Sequence, residues 1–152
     1  MHVVVATDGS KASLDAARQF QVIADGREIT EITVVAVVSP FATVPFANEL
    51  TPPQGSGDAT EVSYRAEADA AVGVVAAVFD GWGPRVHRQV RSGSPASEIV
   101  DAAQDVGAGL ISLASGSRGL TPTILLGSTA QRVQHSAPCP VLVCRPSPNV
   151  PV

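Results

Sequence analysis

The sequence contains few aromatic and few charged residues. Only six of its 152 residues are aromatic, and charged side chains make up 16 %, against 45 % hydrophobic residues. This balance excludes an intrinsically disordered chain and predicts one folded domain. Valine and alanine supply most of the apolar side chains. Small and β-branched residues of this kind favour a parallel sheet that is buried on both faces.

Basic runs and long hydrophobic runs are also missing. The ten Lys and Arg residues are scattered, and the formal net charge is -4, which argues against a nucleic-acid-binding protein. No window of about twenty apolar residues occurs, so we expect no membrane span. The opening "MHVVVATDGS" is predicted to be a strand and not a signal peptide, because no basic segment precedes its short apolar run.

Cysteine is scarce as well. Cys139 and Cys144 lie five residues apart on one predicted strand, an odd spacing that places them on opposite faces. We therefore expect free thiols and no disulfide between them, which is typical of a cytoplasmic protein.

Strand patterns alternate with helix patterns along the chain. The predicted strands are Val3–Ala6, Ile32–Val38, the more exposed Arg85–Arg91, Leu110–Ala114 and Val141–Cys144. The predicted helices are Lys11–Ala24 with Ser10 as its cap, Glu61–Phe79, Pro95–Val106 closed by Gly107, and Leu125–His135. This alternation predicts βαβ units and a doubly wound parallel sheet. Ligands of such sheets bind outside the carboxyl ends of the strands.

The segment Ser39–Thr60 contains four prolines and a Gly-Ser-Gly. We expect a long mobile loop here, because segments of this length in a compact domain are usually functional or disordered. It could close over a bound ligand.

The stretch "ASGSRGLTPTILLGSTAQRV", residues 114–133, combines glycines and hydroxyl side chains immediately after the fourth predicted strand. A cradle for phosphate and an ordinary polar loop are both consistent with this composition. Gly127, Ser128 and Thr129 lie at a predicted helix start, where free N–H groups and the helix dipole favour an anion. Arg118 could bind a phosphate or remain solvated.

The chain resembles the universal stress protein family over nearly its whole length. The resemblance depends on "VVVATDGS", on "GSPASEIVDAAQDVGAGLISLASGSRG" and on "LLGSTAQRVQHSAPCPVLVCR". It implies a family domain over residues 1–146, followed by a tail at 147–152. The implied fold is α/β, a single doubly wound five-stranded parallel sheet of order 3-2-1-4-5, of the adenine-nucleotide alpha hydrolase-like type. Family members are often dimers, and some of them bind ATP while others do not.

The resemblance also implies a set of nucleotide-binding residues. These are Ala6, Thr7, Asp8, Val37, Ala114, Ser115, Gly116, Ser117, Arg118, Gly119, Gly127, Ser128 and Thr129. The implied ligand is ATP or another adenine nucleotide, with or without magnesium. Asp8 could also be a turn carboxylate, and the two interpretations are compatible. Ser128 and Thr129 could equally be helix caps.

ATP-binding members carry Gly-x-x-Gly, nine residues, then Gly and Ser or Thr. An ungapped alignment places Ala114 and Ser117 at the first two glycine positions. Gly116 and Gly119 could supply the pair instead, with a shorter spacing to Gly127. Glycine matters in such a loop because it allows close approach and positive φ.

Known catalytic patterns are missing from the sequence. It contains no Gly-x-Ser-x-Gly elbow and no Walker lysine. A phosphorelay receiver is also excluded, because Asp8 lacks an acidic neighbour and Arg145 replaces the required lysine. Two hypotheses remain: a cytoplasmic ATP-binding stress sensor that is not an efficient enzyme, and a nucleotide-free dimerisation module. In both, the apolar strand 140–145 is the expected homodimer contact.

Overall fold

The computed structural model describes residues 1–39, 49–50, 61–116 and 127–145, without the side chains of 61–63. Its strands are β1 His2–Thr7, β2 Glu31–Val38, β3 Arg85–Ser92, β4 Leu110–Ala114 and β5 Val141–Cys144. Its α-helices are α1 Lys11–Ile23, α2 Glu61–Ala77, α3 Pro95–Val106 and α4 Ser128–Ser136. All strand pairs are parallel, in the order β3-β2-β1-β4-β5. The predicted doubly wound sheet of order 3-2-1-4-5 is confirmed.

Two apolar clusters cover the two faces of the sheet. On one face, Val3 and Val5 of β1 pack with side chains from α1 and α2. On the other face, Val4 and Ala6 pack with side chains from α3 and α4. Strand β1 is therefore buried on both faces, as the continuous apolar run at the start of the chain predicted.

Local signals define three of the helix ends. The Ser10 side chain accepts a hydrogen bond from the Ser13 amide and caps α1. Pro95 begins α3, and Gly107 ends it in the left-handed conformation, with φ of 61°. None of the described helices is long and apolar enough to cross a membrane.

Some predicted boundaries were wrong. Helix α1 ends at Ile23, and α2 ends at Ala77 instead of Phe79. Helix α4 begins at Ser128 and not at Leu125, because Gly127 has ψ of 154°, an extended value that interrupts any helix running through it. Most of the predicted Ser39–Thr60 loop lies outside the described residues.

The six aromatic residues are few, but three of them form one cluster. Phe20 of α1 lies with its ring centroid 6.1 Å from Phe79 and 5.9 Å from Trp82, both in edge-to-face geometry. Trp82 also covers Gly26, where an added Cβ would come within 3.0 Å of the indole. The cluster joins the end of α1 to the turn after α2, and Phe20 and Phe79 are each 1 % exposed.

We expect Phe20→Ala to destabilise the domain by about 3–5 kcal/mol, because it removes a buried ring and leaves a cavity. Val22→Ala is the matched control, since Val22 lies on the same helix and is 66 % exposed. The control should stay within about 0.5 kcal/mol of the parent in urea unfolding. Equal effects of the two variants would contradict the packing role of Phe20.

Candidate functional site at the carboxyl edge of the sheet

The strand order reverses at β1, which pairs with β2 on one side and with β4 on the other. This is the switch point at which doubly wound sheets bind ligands. Three chain segments meet there: the β1–α1 turn, the end of β2, and the connection from β4 to α4. The segments that the sequence placed at the carboxyl edge of the sheet therefore lie at that edge in the fold.

The β1–α1 turn is held by its own hydroxyl groups. The Ser13 hydroxyl donates to the Ser10 carbonyl oxygen at 2.7 Å, so the Thr7 hydroxyl, also 2.7 Å away, donates to Ser13. Thr7 Oγ1 in turn accepts the Gly9 amide at 3.1 Å. Gly9 has φ of 79°, which glycine adopts without strain. The Thr7 hydroxyl thus acts mainly to hold this turn.

Asp8 is a turn carboxylate whose side chain stays exposed. Its Oδ1 atom accepts the Ser10 amide at 3.0 Å and the Ser10 hydroxyl at 2.5 Å, which makes it a turn carboxylate. The side chain is nevertheless exposed at the ligand edge. Because both described bonds use Oδ1, the turn interpretation is compatible with a ligand contact through Oδ2.

The end of β4 approaches the start of α4 very closely. The Gly127 amide donates to the Ser115 carbonyl oxygen at 2.7 Å. A Cβ at Gly127 would lie 2.7 Å from the Gly116 oxygen and 3.0 Å from the Ser115 oxygen. Glycine is therefore required at 127 by the chain's own backbone. A bulky substitution there would disturb the fold and would not by itself report on phosphate binding.

The glycine turn after β4 is displaced relative to the family motif. Ala114 is the last residue of β4 and pairs with Cys144, so it needs no glycine geometry. The left-handed conformation falls at Gly116 instead, with φ of 62°. This supports the alternative in which Gly116 takes over a motif glycine. Ser117, Arg118 and Gly119 lie outside the described residues.

Helix α4 begins with N–H groups directed toward this edge. Its N-cap is Gly127, which makes no side-chain cap, so of the two interpretations of Ser128 and Thr129 the one as helix caps is wrong. The first intrahelical bond runs from the Gln131 amide to the Gly127 oxygen. Because the Gly127 amide is bonded to Ser115, the amides available at the helix start begin at Ser128.

Ala6 and Val37 lie on the same face of the sheet as α4. Both side chains pack with the cluster under α3 and α4, Ala6 buried and Val37 half-buried. The paired residues Thr7 and Ala36 end the β1–β2 ladder, so Val37 lies one residue beyond it. Together these two side chains give that face of the sheet an apolar floor near its carboxyl edge.

Two charged residues at this edge were not among the predicted site residues. Glu49 accepts the Lys11 amide through Oε2 at 2.8 Å, and its own amide donates to the Gly9 oxygen at 3.2 Å. Arg145 directly follows β5, beside Ser115, whose amide bonds to the Cys144 oxygen. The position of Arg145 could have been found from the end of the last strand. No local signal places Glu49 at the first turn of α1.

Charge is unevenly distributed among the described residues of this edge. The carboxylates of Asp8 and Glu49 lie at the first turn of α1, whereas α4 offers amide donors and no acidic residue in its first turn. Within the described ranges, no group of three or more His, Cys, Asp or Glu side chains is arranged to hold a metal ion. Cys139 and Cys144 are free, as predicted, and burial raises the pKa of each thiol.

Comparison with known proteins identifies the family. The model of the universal stress protein family matches residues 1–145. The universal stress protein MJ0531 of Methanocaldococcus jannaschii is 36 % identical over 145 residues, covering 94 % of this chain and 81 % of that protein. A universal stress protein solved in complex with cAMP has a TM-score of 0.67 at 22 % identity, covering 97 % and 98 % of the two chains.

A family protein from Arabidopsis thaliana with AMP bound has a TM-score of 0.64 at 16 % identity, covering 98 % of this chain and 94 % of that chain. At such low identity the two solved structures establish the shared fold alone. The family match and the Methanocaldococcus relative establish more. This chain belongs to the universal stress protein family.

Proposed function

We propose that this protein binds ATP or another adenine nucleotide at the carboxyl edge between β1 and β4 and acts as a stress sensor or regulator. In this proposal it is a cytoplasmic protein and not an efficient enzyme. The observation that carries it is the close approach of Ser115 and Gly116 to Gly127, which aims the start of α4 at the switch point. The bound cAMP and AMP of the two structurally similar proteins support the ligand class.

The charge distribution at this edge supports one orientation of the nucleotide. Phosphates are favoured at the start of α4, where the amides of Ser128 and Thr129 and the helix dipole attract an anion. The carboxylates of Asp8 and Glu49 would repel phosphate but can accept hydrogen bonds from ribose hydroxyls. The adenine would then lie against the apolar floor of Ala6 and Val37. Ser117, Arg118 and Gly119 remain part of the proposed phosphate loop.

Titration calorimetry with ATP, with and without magnesium, tests the proposal directly. We expect a dissociation constant in the micromolar range, equivalent to about 8 kcal/mol. Nucleotide should also raise the melting temperature, because it binds the folded state. If millimolar ATP gives neither heat nor a thermal shift, the nucleotide-free dimerisation module becomes the better account.

Asp8→Asn separates the two roles of the carboxylate. An Asn side chain can still accept the Ser10 amide, so the turn should persist, but the free anionic oxygen is lost. We expect ATP affinity to fall about tenfold, the scale of one lost charge-assisted hydrogen bond. Asp15→Asn is the control, since Asp15 lies on α1 and pairs with Arg18 at 3.4 Å. Unchanged affinity in Asp8→Asn would remove this carboxylate from the proposed site.

We also propose that a second copy of the chain pairs with β5. The carbonyls of Pro140 and Cys144 accept bonds from β4, so by strand alternation the amides of Val141 and Val143 face away from the sheet. An edge of this kind can pair with its own copy about a two-fold axis. The opposite edge, β3, carries Arg85, Arg88 and Arg91, and charged residues oppose such pairing.

Light scattering at micromolar concentration should then give about twice the 15.5 kDa chain mass. Val141→Pro removes an outward amide and should shift the protein toward monomer. Val141→Thr keeps that amide at nearly the same side-chain volume and should remain dimeric. A lysine at Val141 or Val143 would be a poorer test, because both side chains pack against the chain's own core. A folded Val141→Pro variant that stays fully dimeric would place the contact on another surface.

A further inference from the structure

A second polar cluster lies at the opposite, amino edge of the sheet, far along β1 from Asp8. The rings of His2 and His87 are stacked with centroids 6.0 Å apart and an interplanar angle of 27°. His87 Nε2 donates to Glu31 Oε2 at 2.6 Å. His2 Nε2 lies 2.7 Å from the buried Thr33 hydroxyl. The side chains of this cluster therefore connect β1, β2 and β3, in addition to the backbone pairing of these strands.

The two imidazoles have unequal surroundings. His87 has a carboxylate partner in Glu31, which can balance a positive charge. His2 has only the Thr33 hydroxyl, and the chain's amino group lies on the adjacent Met1, bonded to the Glu28 oxygen at 2.7 Å. A charge on His2 would therefore face a second imidazole and an ammonium group, while Glu31, the carboxylate that attracts it, is bonded to His87.

The other charged groups near the cluster act on Glu31 or are bonded to another element. Arg85 is the remaining cation on β3 that acts on Glu31. Arg91, farther along β3, is bonded to Glu98 and Asp105 of α3. Among the described residues, Glu31 is thus the carboxylate that faces the histidine pair, and it is bonded to His87.

We propose that His2 and His87 form an acid-responsive pair, in which Glu31 holds the His87 ring against His2 and the protonation of His2 weakens the amino edge of the sheet. This device is independent of the proposed nucleotide site. It responds in the mildly acidic range, where histidine is the side chain that titrates.

The direction of the pH effect follows from the environment of His2. Burial lowers the pKa of His2 below its usual value, and His87 and the amino terminus lower it further, while Glu31 partly opposes them. The unfolded chain therefore binds a proton at His2 more readily than the folded chain. Stability is full above the unfolded pKa of about 6.5 and is lost as the pH falls toward the folded value.

The hydrogen bond from His87 acts on Glu31 at lower pH. It lowers the pKa of the Glu31 carboxyl below its usual value. The stabilisation from this group is therefore present above the unfolded pKa of about 4.3 and is lost below it. The two effects occur in different pH ranges. A loss of stability between about pH 6.5 and pH 5 is therefore expected from His2.

Two measurements on the full chain test the proposal. An NMR titration of the ring protons should find the His2 pKa below the usual histidine value of about 6.5, and His87→Gln should raise it by removing the neighbouring imidazole. Thermal melts should show that the parent loses more stability than His2→Gln between about pH 7.5 and about pH 5.5, by about 2 °C or more in Tm. Glutamine at position 2 can still bond to Thr33, so the variant should fold.

His135→Gln is the matched control, because His135 is exposed in the last turn of α4. It should lose as much stability in acid as the parent does. The proposal is overturned if His2 titrates at or above about 6.5, the usual histidine value, or if His2→Gln and the parent lose stability equally. The direct titration of His2 in the parent decides the question even if a variant folds poorly.

Discussion

The burial of β1 on both faces and along both edges is the constraint on which the rest of the structure depends. Val3, Val4 and Val5 are at most 1 % exposed, and these three residues pair with β2 on one side and β4 on the other. Such a strand must carry apolar side chains in its middle, because neither face reaches water. Polar chemistry is therefore restricted to its two ends: His2 at the amino edge, and Thr7 with Asp8 at the carboxyl edge.

At the carboxyl edge, backbone packing and not a set of side chains determines the shape of the candidate site. Gly127 must be glycine because the oxygens of Ser115 and Gly116 occupy the space of a Cβ. This contact links β4 directly to the start of α4 and fixes the direction of the helix. Of the residues from the family motif, Gly127 therefore has an architectural role in this chain, and its own amide is bonded to Ser115.

The two edge strands of the sheet, β3 and β5, differ in charge. β3 carries charged residues along an exposed edge, and one of them, Arg91, is bonded to two carboxylates of α3. β5 presents valine amides with no charged side chain within the strand. This asymmetry restricts edge-to-edge association to one side of the sheet. It is compatible with a nucleotide at the switch point, because β5 and β1 are separated by β4.

The sequence by itself determined the alternation of elements, the parallel sheet and the edge at which Asp8 and Val37 lie. Those features follow from local patterns of apolar residues, caps and glycines, and the resemblance to a known family supplied the strand order. Only the tertiary structure decided that Gly116 adopts the left-handed turn, that Gly127 caps α4, and that Glu49 bonds to the Lys11 amide. It also brought His2 and His87 together across β2. The physical reason is that the close contacts, such as Gly127 with Ser115 and Glu49 with Lys11, join residues distant in sequence, and no local pattern encodes which groups will meet.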